Sequence, residues 1–215
     1  MQANVIEQRT EAWIKQRLGK VTASKVKDVM AKGRGSAPSA TRANYMMQLL
    51  CERLTGVPGG EDLSRKPAVQ RGVELEPVAR SAYEVDQGVM TIESGLIIHP
   101  VITDFGASPD GLVGADGLVE IKCPNTAQHV SVIQSGKHDT QHEWQMFAQM
   151  SCSGREWVDF VSFDDRLPEE LQYARFRLYR DEKRIREMEG EIRDFLDELA
   201  ELQADMTARI REQAA

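Results

Sequence analysis

The stretch Gly106–Pro124, GASPDGLVGADGLVEIKCP, constrains the fold of this chain most strongly. Two β-forming runs lie on either side of GADG, and a short Gly- and Asp-containing segment between such runs is typical of a hairpin turn. Side chains alternate between the two faces of a strand, so Glu120 and Lys122 share one face and Ile121 lies on the other. If FGASPDG pairs with GLVEIKCP across the turn, Asp110 lies beside Glu120.

The segments around this hairpin change between helical and strand patterns. Apolar residues spaced three and four apart predict helices, and short β-rich runs separated by Gly, Pro and Asp predict strands. Helices are predicted at 22–31, 41–56, 68–87, 126–135 and 140–151, and strands within 89–94, 95–100, 103–111, 117–124, 157–163 and 171–179. This order predicts a single α+β domain over residues 1–215, with a central mixed β-sheet flanked by helices.

Capping and breaking residues refine these boundaries. Thr22 or Ser24 is the expected N-cap of the first helix. Pro77 lies inside the third helix, where a kink or a break is expected. The Gly- and Pro-containing segments 32–40 and 57–67 are expected to be loops.

One long amphipathic helix is predicted at the C-terminal end, over about residues 181–213. Its apolar residues recur mostly every three or four positions, so that one stripe is apolar and the rest of the surface is charged. The stripe contains Ile185, Met188, Ile192, Phe195, Leu196, Leu199, Leu202, Met206 and Ile210. We expect the stripe to pack on the body of the domain, and a contact with another protomer or a partner protein is the alternative.

The charges are distributed unevenly along the chain. The net charge is −7, but residues 1–80 carry 14 Lys and Arg against 8 Asp and Glu, whereas residues 81–163 carry 3 against 11. A basic N-terminal third can hold phosphate while an acidic centre holds metal, although solvated surfaces would give the same pattern. No apolar run is long enough to cross a membrane, and the N-terminus has no secretory h-region. Three scattered cysteines indicate a reducing environment, so we expect a cytoplasmic protein.

The acids of the hairpin suggest a chemical role. Two neighbouring carboxylates stay ionised only beside positive charge, which a divalent cation with oxygen ligands supplies. A lysine beside them can orient or deprotonate a water, or stabilise developing negative charge. This combination suits Mg²⁺-dependent hydrolysis of a phosphodiester, with a second metal ion stabilising the leaving oxygen. The alternative is an exposed hairpin on which Glu120 and Lys122 form a surface ion pair of little energetic value.

The spacing Pro109-Asp110, then Glu120-Ile121-Lys122, is the pattern of the PD-(D/E)xK nuclease superfamily. The chain further resembles the bacteriophage lambda exonuclease family, viral alkaline exonucleases and recombinases of the YqaJ type. The resemblance is carried by EAWIKQRLGKVTASKV, RGVELEPVARSAYE, ASPDGLV, LVEIKCP, WQMFAQM, FDDRL and RDEK. It implies a restriction-endonuclease-like core with a long C-terminal helix. Segments 32–39 and 59–66 match poorly, and the C-terminal end matches only as a helix.

The resemblance implies a metal site at the hairpin. Asp110 and Glu120 are similar to the main metal ligands of the family, and the backbone carbonyl of Ile121 joins them. Lys122 is similar to the catalytic lysine. Glu76 resembles the upstream helical acid that completes the metal site.

Two of these assignments leave rival residues open. Glu74 is the alternative to Glu76, two residues away on the same helix. Gln145 is similar to the glutamine that lines the site after the sheet, and Gln149, one helical turn further on, is its alternative.

The resemblance also implies a pocket for the 5′-terminal phosphate of DNA, formed by Arg17, Ser24 and Ser108. The chemistry agrees with this assignment. Arg17 offers a planar fork of donors, and Ser24 is predicted near a helix N-terminus, which attracts anions. Ser108 is two residues from Asp110 and is expected on the same strand face. Without the resemblance, Arg17 would be read as a surface arginine and Ser24 as a helix cap.

The histidines carry a weaker signal. His138 and His142 are four residues apart, which is compatible with zinc on one helix face. No cysteine or third histidine nearby completes such a site, so we interpret both as polar surface residues that lie near DNA.

The family implies a Mg²⁺-dependent exonuclease, with Mn²⁺ possible, that uses two metal ions. It would digest one strand of linear double-stranded DNA from a 5′-phosphorylated end, releasing mononucleotides and leaving a 3′ single strand. A homotrimeric ring around DNA, a single-strand annealing protein as partner, and a role in phage-type recombination in a bacterial host are implied as well.

Other functions remain open at this stage. One is an endonuclease or another PD-(D/E)xK nuclease on the same core, although a Cas4-like protein would carry four cluster-ligating cysteines. A DNA-binding module with an inactive site is a second, and a scaffold built on the long helix is a third.

Overall fold

The computed structural model describes residues 6–33, 39–59 and 65–213. Its helices are α1 (Glu11–Arg17), α2 (Val26–Val29), α3 (Ala40–Thr55), α4 (Pro67–Gln87), α5 (Thr126–Ser135), α6 (Glu143–Ser153) and α7 (Glu182–Gln213). Its strands are β1 (Val21–Thr22), β2 (Thr91–Ile92), β3 (Ile97–Ile98), β4 (Phe105–Ala107), β5 (Gly111–Val113), β6 (Gly117–Lys122), β7 (Trp157–Phe163) and β8 (Tyr173–Tyr179). Parts of the two predicted loops, residues 34–38 and 60–64, lie outside the described residues.

A five-stranded mixed sheet, in the order β2-β5-β6-β7-β8, forms the centre of the fold. The predicted hairpin is its β5–β6 pair, in which Gly111 is opposite Val119 and Val113 is opposite Gly117. Strands β6 and β7 run parallel and are joined through α5 and α6, as a parallel pair requires a long crossover. The predicted α+β class with a mixed sheet is confirmed.

A second sheet, of three strands in the order β1-β4-β3, contains the residues before the hairpin. Phe105–Ala107 pairs with β1 and β3 and not with the hairpin, so the predicted pairing of the whole FGASPDG segment was wrong. Pro109 explains the change, since it lacks a backbone N–H and cannot continue a ladder. The chain therefore leaves one sheet at Ser108 and enters the other at Gly111.

The two faces of the large sheet bury different cores. Leu118 and Phe160 point toward α6 and α7 and join the larger hydrophobic core. Val119 and Ile121 point to the opposite face, where they pack with Tyr83 of α4. The alternation predicted for GLVEIK is thereby confirmed, and it places Glu120 on the α6 side.

A kink or a break was predicted at Pro77, and the helix α4 continues through it from Pro67 to Gln87, so the break is not formed. Pro77 lies on an exposed turn of the helix, and the residue four before it, Val73, is 40% exposed. Water can therefore bond the carbonyl that lacks a helical donor. Burial of Ala79 and Tyr83 in the same helix, both 0% exposed, stabilises it on the sheet.

The first predicted helix is shorter than expected. Residues Ala23–Lys25 form a 3₁₀ turn, and only Val26–Val29 are α-helical. Neither predicted cap is formed: the Thr22 side chain makes no capping bond, and Ser24 lies inside the 3₁₀ turn. Val21 and Thr22 pair with β4 instead, which removes the residues that a longer helix would have needed.

Helix α7 packs on the body through the N-terminal two thirds of its apolar stripe. Ile185, Met188, Ile192, Phe195 and Leu199 are at most 1% exposed. The stripe then becomes solvent-accessible, with Leu202 and Met206 at 38% and 40%, and the side chain of Ile210 is not among those described. The predicted packing is thus confirmed for the first part of the helix. None of the described helices is both long and apolar enough to span a membrane.

Candidate active site

Asp110 lies where the chain enters strand β5, beside the end of β6. Its Oδ2 accepts a hydrogen bond from the backbone N–H of Ile121 at 2.7 Å, and its backbone carbonyl accepts one from Arg80 at 2.5 Å. The N–H and C=O of one strand residue point toward the same neighbouring strand. The carbonyl of Ile121 therefore points to the edge where Asp110 lies, as the metal-site prediction requires.

Glu120 is fully buried on the α6 face of the sheet and accepts from three donors. Gln145 Nε2 donates to Oε1 at 2.5 Å, Gln149 Nε2 donates to Oε2, and the Lys122 ammonium pairs with Oε1. The two glutamines proposed as alternatives are therefore both in contact, because one helical turn of α6 spans the carboxylate. These bonds fix the orientation of a carboxylate that would otherwise be costly to bury.

The charges of these groups are strongly coupled. Burial, together with the charge of Glu120, raises the pKa of Asp110 to about 8. Burial alone would lower the pKa of Lys122, but the carboxylates of Glu120 and Asp110 outweigh it and raise that pKa above its usual value. Lys122 thus stays a cation at neutral and alkaline pH, which favours orienting water or stabilising negative charge over deprotonating water.

Glu76 projects from α4 toward the same region. It is held by Arg80 at 3.2 Å and by Arg9, and it lines a small cavity together with Asp110. Glu74 is exposed on another side of α4, so the structure favours Glu76 of the two. Arg9 has a left-handed backbone with φ of 68°, a conformation that non-glycine residues adopt rarely and that is concentrated at functional sites.

The oxygen atoms of this site suit a hard divalent cation. The carboxylates of Asp110 and Glu120 and the carbonyl of Ile121 are the donors that Mg²⁺ and Mn²⁺ prefer. A cation would offset the burial and the charge of Glu120, which together raise the pKa of Asp110. In the described part of the chain, no three Asp, Glu, His or Cys side chains converge closely enough to hold a metal ion alone. A bound ion would therefore take further ligands from the backbone and from water, and Glu76 would join them only after its ion pairs with Arg80 and Arg9 are released.

The residues predicted for the 5′-phosphate lie together near α1. Arg17 Nη1 donates to Ser108 Oγ at 3.5 Å, and Trp13 Nε1 donates to the same oxygen at 3.0 Å. The Arg17 guanidinium lies 4.0 Å from the centre of the Trp13 ring. Arg17 and Ser24 line one cavity, which we call the Arg17 pocket, with Thr22 and Lys20 among its other walls. Ser108 follows β4 and belongs to neither sheet, so the prediction that it shares a strand face with Asp110 was wrong.

Ser24 connects the Arg17 pocket to Lys122. It also lines an adjacent cavity, which we call the Lys122 cavity. The walls of the Lys122 cavity are Ala23, Ser24, Lys27, Lys122, Gln141, His142 and Gln145. The predicted phosphate-binding and catalytic residues are thereby adjacent.

Sequence reasoning missed Arg80, Arg9 and Trp13. Arg80 follows Glu76 by four residues, and Arg17 follows Trp13 by four, a spacing that places side chains together on a helix. That periodicity could have identified Arg80 and Trp13. Arg9 precedes α1 and reaches Glu76 only through the tertiary fold, so no local signal marks it.

The two histidines are separated by the fold. His142 lines the Lys122 cavity, whereas His138 lines another cavity with Gln128, Ser131 and Lys137. Both side chains are partly buried, and burial lowers the pKa of each, to about 4 for His142. Both residues lie in the connection between α5 and α6 and are partly buried, so neither is a fully exposed surface residue.

Comparison with known proteins gives a consistent result. The family model of the YqaJ-like viral recombinase domain matches residues 12–156. The solved structure of an alkaline exonuclease, LHK-Exo from Laribacter hongkongensis, is 48% identical, covers 95% of this chain and 100% of its own, and has a TM-score of 0.88. The same protein in complex with dAMP gives the same values. No curated protein matches the chain.

A more distant structure shows the same fold. A phage-related exonuclease from Haemophilus somnus 129PT is 16% identical, with a TM-score of 0.68 over 87% of this chain and 96% of its own. The family match covers well over half of the chain and includes the hairpin with Asp110, Glu120 and Lys122. This chain belongs to the YqaJ-like viral recombinase family.

Proposed function

We propose that this protein is a Mg²⁺-dependent exonuclease that digests one strand of linear double-stranded DNA from a 5′-phosphorylated end. The family and the 48% identity to an alkaline exonuclease support a phage-type nuclease. The complex of that relative with dAMP supports mononucleotides as products, since dAMP is what hydrolysis of DNA at its terminal adenosine would release.

The observation that carries the proposal is the fully buried Glu120 beside the partly buried Asp110, with Lys122 between solvent and Glu120. Lys122 contacts Glu120 and exposes 30% of its side chain, so the cation faces the Lys122 cavity. Asp110, Glu120, the carbonyl of Ile121 and, after release by its arginines, Glu76 would hold Mg²⁺ or Mn²⁺, with room for two ions proposed from the family. A bound ion polarises the phosphoryl group and lowers the pKa of water.

Side chains of the protein position the groups that take part in hydrolysis. Gln145 and Gln149 fix the Glu120 carboxylate, and Glu120 in turn fixes the Lys122 ammonium. From this position Lys122 orients the attacking water and stabilises negative charge on the scissile phosphate. The water attacks in line with the leaving 3′-oxygen, and the 5′-nucleotide departs.

Selection of the 5′-phosphorylated end is proposed for the Arg17 pocket. Within the described part of the chain, no carboxylate forms an ion pair with Arg17, so its guanidinium is available to an anion. Ser108 and Trp13 orient the guanidinium. Burial lowers the pKa of Arg17, but an arginine stays protonated in proteins, so a phosphate meets a charged donor.

Arg17→Ala should reduce the rate on 5′-phosphorylated ends about 10- to 100-fold, the value of a lost charge-assisted hydrogen bond. Its rate on 5′-hydroxyl ends should change much less. Initial rates on two duplexes that differ only at the 5′ end measure this ratio. Equal losses on both ends would show that Arg17 holds the backbone and does not select the end.

The overall activity is tested with blunt linear duplex labelled separately at each strand end. Each duplex carries a 5′-phosphate or a 5′-hydroxyl and is incubated with Mg²⁺, Mn²⁺ or EDTA, beside a closed circular control. We expect metal-dependent release of mononucleotides from the 5′-phosphorylated strand, with the circle intact. A cut circle would identify an endonuclease on the same core, and no cleavage of any substrate would leave an inactive DNA-binding module.

A homotrimeric ring is proposed from the family resemblance. A ring that encloses DNA would explain how a chain with a net charge of −7 stays on a polyanion. Multi-angle light scattering at micromolar concentration should give three times the chain mass of 24.1 kDa. A mass equal to one chain would contradict the ring.

A single-strand annealing protein is proposed as the partner. Digestion of one strand exposes a 3′ single strand, which such a protein binds for recombination in the cytoplasm of a bacterial host. The family of viral recombinases supports this role.

A further inference from the structure

The Lys122 cavity contains polar side chains that the proposed mechanism does not use, among them an imidazole. Its walls come from the 3₁₀ turn after β1 on one side and from the start of α6 on the other, with Lys122 of β6 between them. Two lysines, Lys27 and Lys122, make the cavity basic. The imidazole belongs to His142, the residue immediately before α6.

His142 is held in the cavity wall by packing. Its imidazole stacks on Phe160 of β7, with ring centres 5.7 Å apart and planes inclined by 26°. Its backbone N–H donates to Asp139 at 3.1 Å, which fixes the turn. Its ring nitrogens make no hydrogen bond within the described part of the chain, although the ring is partly buried. The imidazole is thus oriented by the protein and left with unpaired polar atoms beside a basic cavity.

The cavity is suited to the terminal nucleotide of DNA. Ser24 lines both the Arg17 pocket and the Lys122 cavity. A nucleotide with its 5′-phosphate at Arg17 would therefore lie against Ser24 and extend toward Lys122. A phosphate oxygen near Lys122 is attracted by that ammonium and by Lys27. His142 faces this position from the α6 side.

We propose that His142 contacts the terminal nucleotide and donates its ring N–H to a phosphate oxygen at the bond that is cleaved. This inference rests on the proposed exonuclease function and adds a substrate-contacting residue to it. A neutral imidazole suits the position, because burial and the charge of Lys122 disfavour a third cation beside the two lysines. The contact therefore does not depend on protonation of the ring at neutral or alkaline pH.

The chain offers a matched control in His138. It lies four residues earlier and is also partly buried, but it lines a different cavity with Gln128 and Ser131. Loss of its imidazole should not change the binding or the cleavage of the terminal nucleotide.

Four variants separate the hydrogen bond from the packing. His142→Phe keeps a ring on Phe160 but removes the donor, His142→Gln keeps a donor, His142→Ala removes both, and His138→Gln is the control. On 5′-phosphorylated linear duplex, kcat should fall about 10- to 100-fold in the Phe and Ala variants, as expected for a lost hydrogen bond to a charged group. His142→Gln should stay within about threefold of wild type, and His138→Gln should be unchanged.

Binding provides a readout that does not depend on cleavage. Titration of a 5′-phosphorylated linear duplex in EDTA, where it is bound but not cut, should show about tenfold weaker affinity for His142→Phe and no change for His138→Gln. A purely structural role predicts instead that kcat follows the thermal stability of each variant and that His142→Phe resembles wild type. Unchanged kcat and unchanged duplex affinity in His142→Phe would overturn the contact while leaving the exonuclease intact. A wild-type protein that binds the duplex through His142 but cuts no DNA would overturn the proposed function alone, and a wild type that does neither would overturn both.

Discussion

Replacing Lys122 with alanine should reduce cleavage of linear duplex DNA by about 1,000-fold or more, because a cation positioned at the scissile phosphate is lost. The fold should persist, since Glu120 keeps the amide donors Gln145 and Gln149. Initial rates at saturating Mg²⁺, with circular dichroism of the same samples, measure both expectations.

The control for this variant is Lys183→Ala, which removes an exposed lysine at the start of α7. It should cut DNA at the wild-type rate. Full activity of Lys122→Ala would show that the assignment of the hairpin as the catalytic site is wrong. Loss of the circular dichroism signal would indicate that Lys122→Ala is unfolded. The rate would then be measured on Lys122→Met, which keeps the length of the side chain but removes its charge.

Asp110→Asn should abolish cleavage and at the same time stabilise the metal-free protein. In the folded state burial and Glu120 raise the pKa of Asp110 to about 8, from 3.8 for an ordinary aspartate. The folded state therefore holds this proton more tightly than the unfolded state does. Ionisation of Asp110 therefore lowers the free energy of unfolding of the wild type as the pH rises from about 4 through about 8. Above that range this effect of Asp110 has reached its full size. Asparagine carries no such charge and can still accept from the N–H of Ile121.

Because Asp110 is only partly shielded from solvent, we expect Asp110→Asn to raise the free energy of unfolding at pH 9 by about 2 kcal/mol. This is well below the free energy that corresponds to the full pKa shift of Asp110. For a chain of this size that corresponds to a rise in Tm of roughly 4–8 °C. Thermal unfolding in EDTA at pH 9 and at pH 5 tests the sign, since the gain should shrink at the lower pH. Asp116→Asn, an exposed acid in the turn of the same hairpin, should show no such difference. A destabilised Asp110→Asn at pH 9 would mean that the ionised carboxylate stabilises the apo fold.

Much of the site could be predicted because its central residues lie on one hairpin. Strand alternation fixes the shared face of Glu120 and Lys122, and the turn between β5 and β6 brings Asp110 to the end of β6. Both rules act over a few residues, so local sequence determines them. The helices α3, α5 and α7 follow for the same reason, since their periodicity and caps are local.

The remainder of the site required long-range contacts. Arg9 reaches Glu76 across 67 positions of the chain, and Trp13 meets Ser108 across 95. No periodic pattern connects residues so far apart. Pairing of β4 with β1 overrode the expected helix after Val21, and solvent exposure allowed α4 to continue through Pro77.

The sequence by itself determined the α+β class, the hairpin with its two acids and lysine, and the apolar stripe of the last helix, since each depends on spacing within one element. Only the tertiary structure decided that both Gln145 and Gln149 hold Glu120, and that Ser24 joins the Arg17 pocket to the Lys122 cavity. It also decided that His142, and not His138, faces that cavity. The physical reason is that side-chain direction between elements is set by how helices pack on the sheet, and that packing depends on the whole core rather than on neighbouring residues.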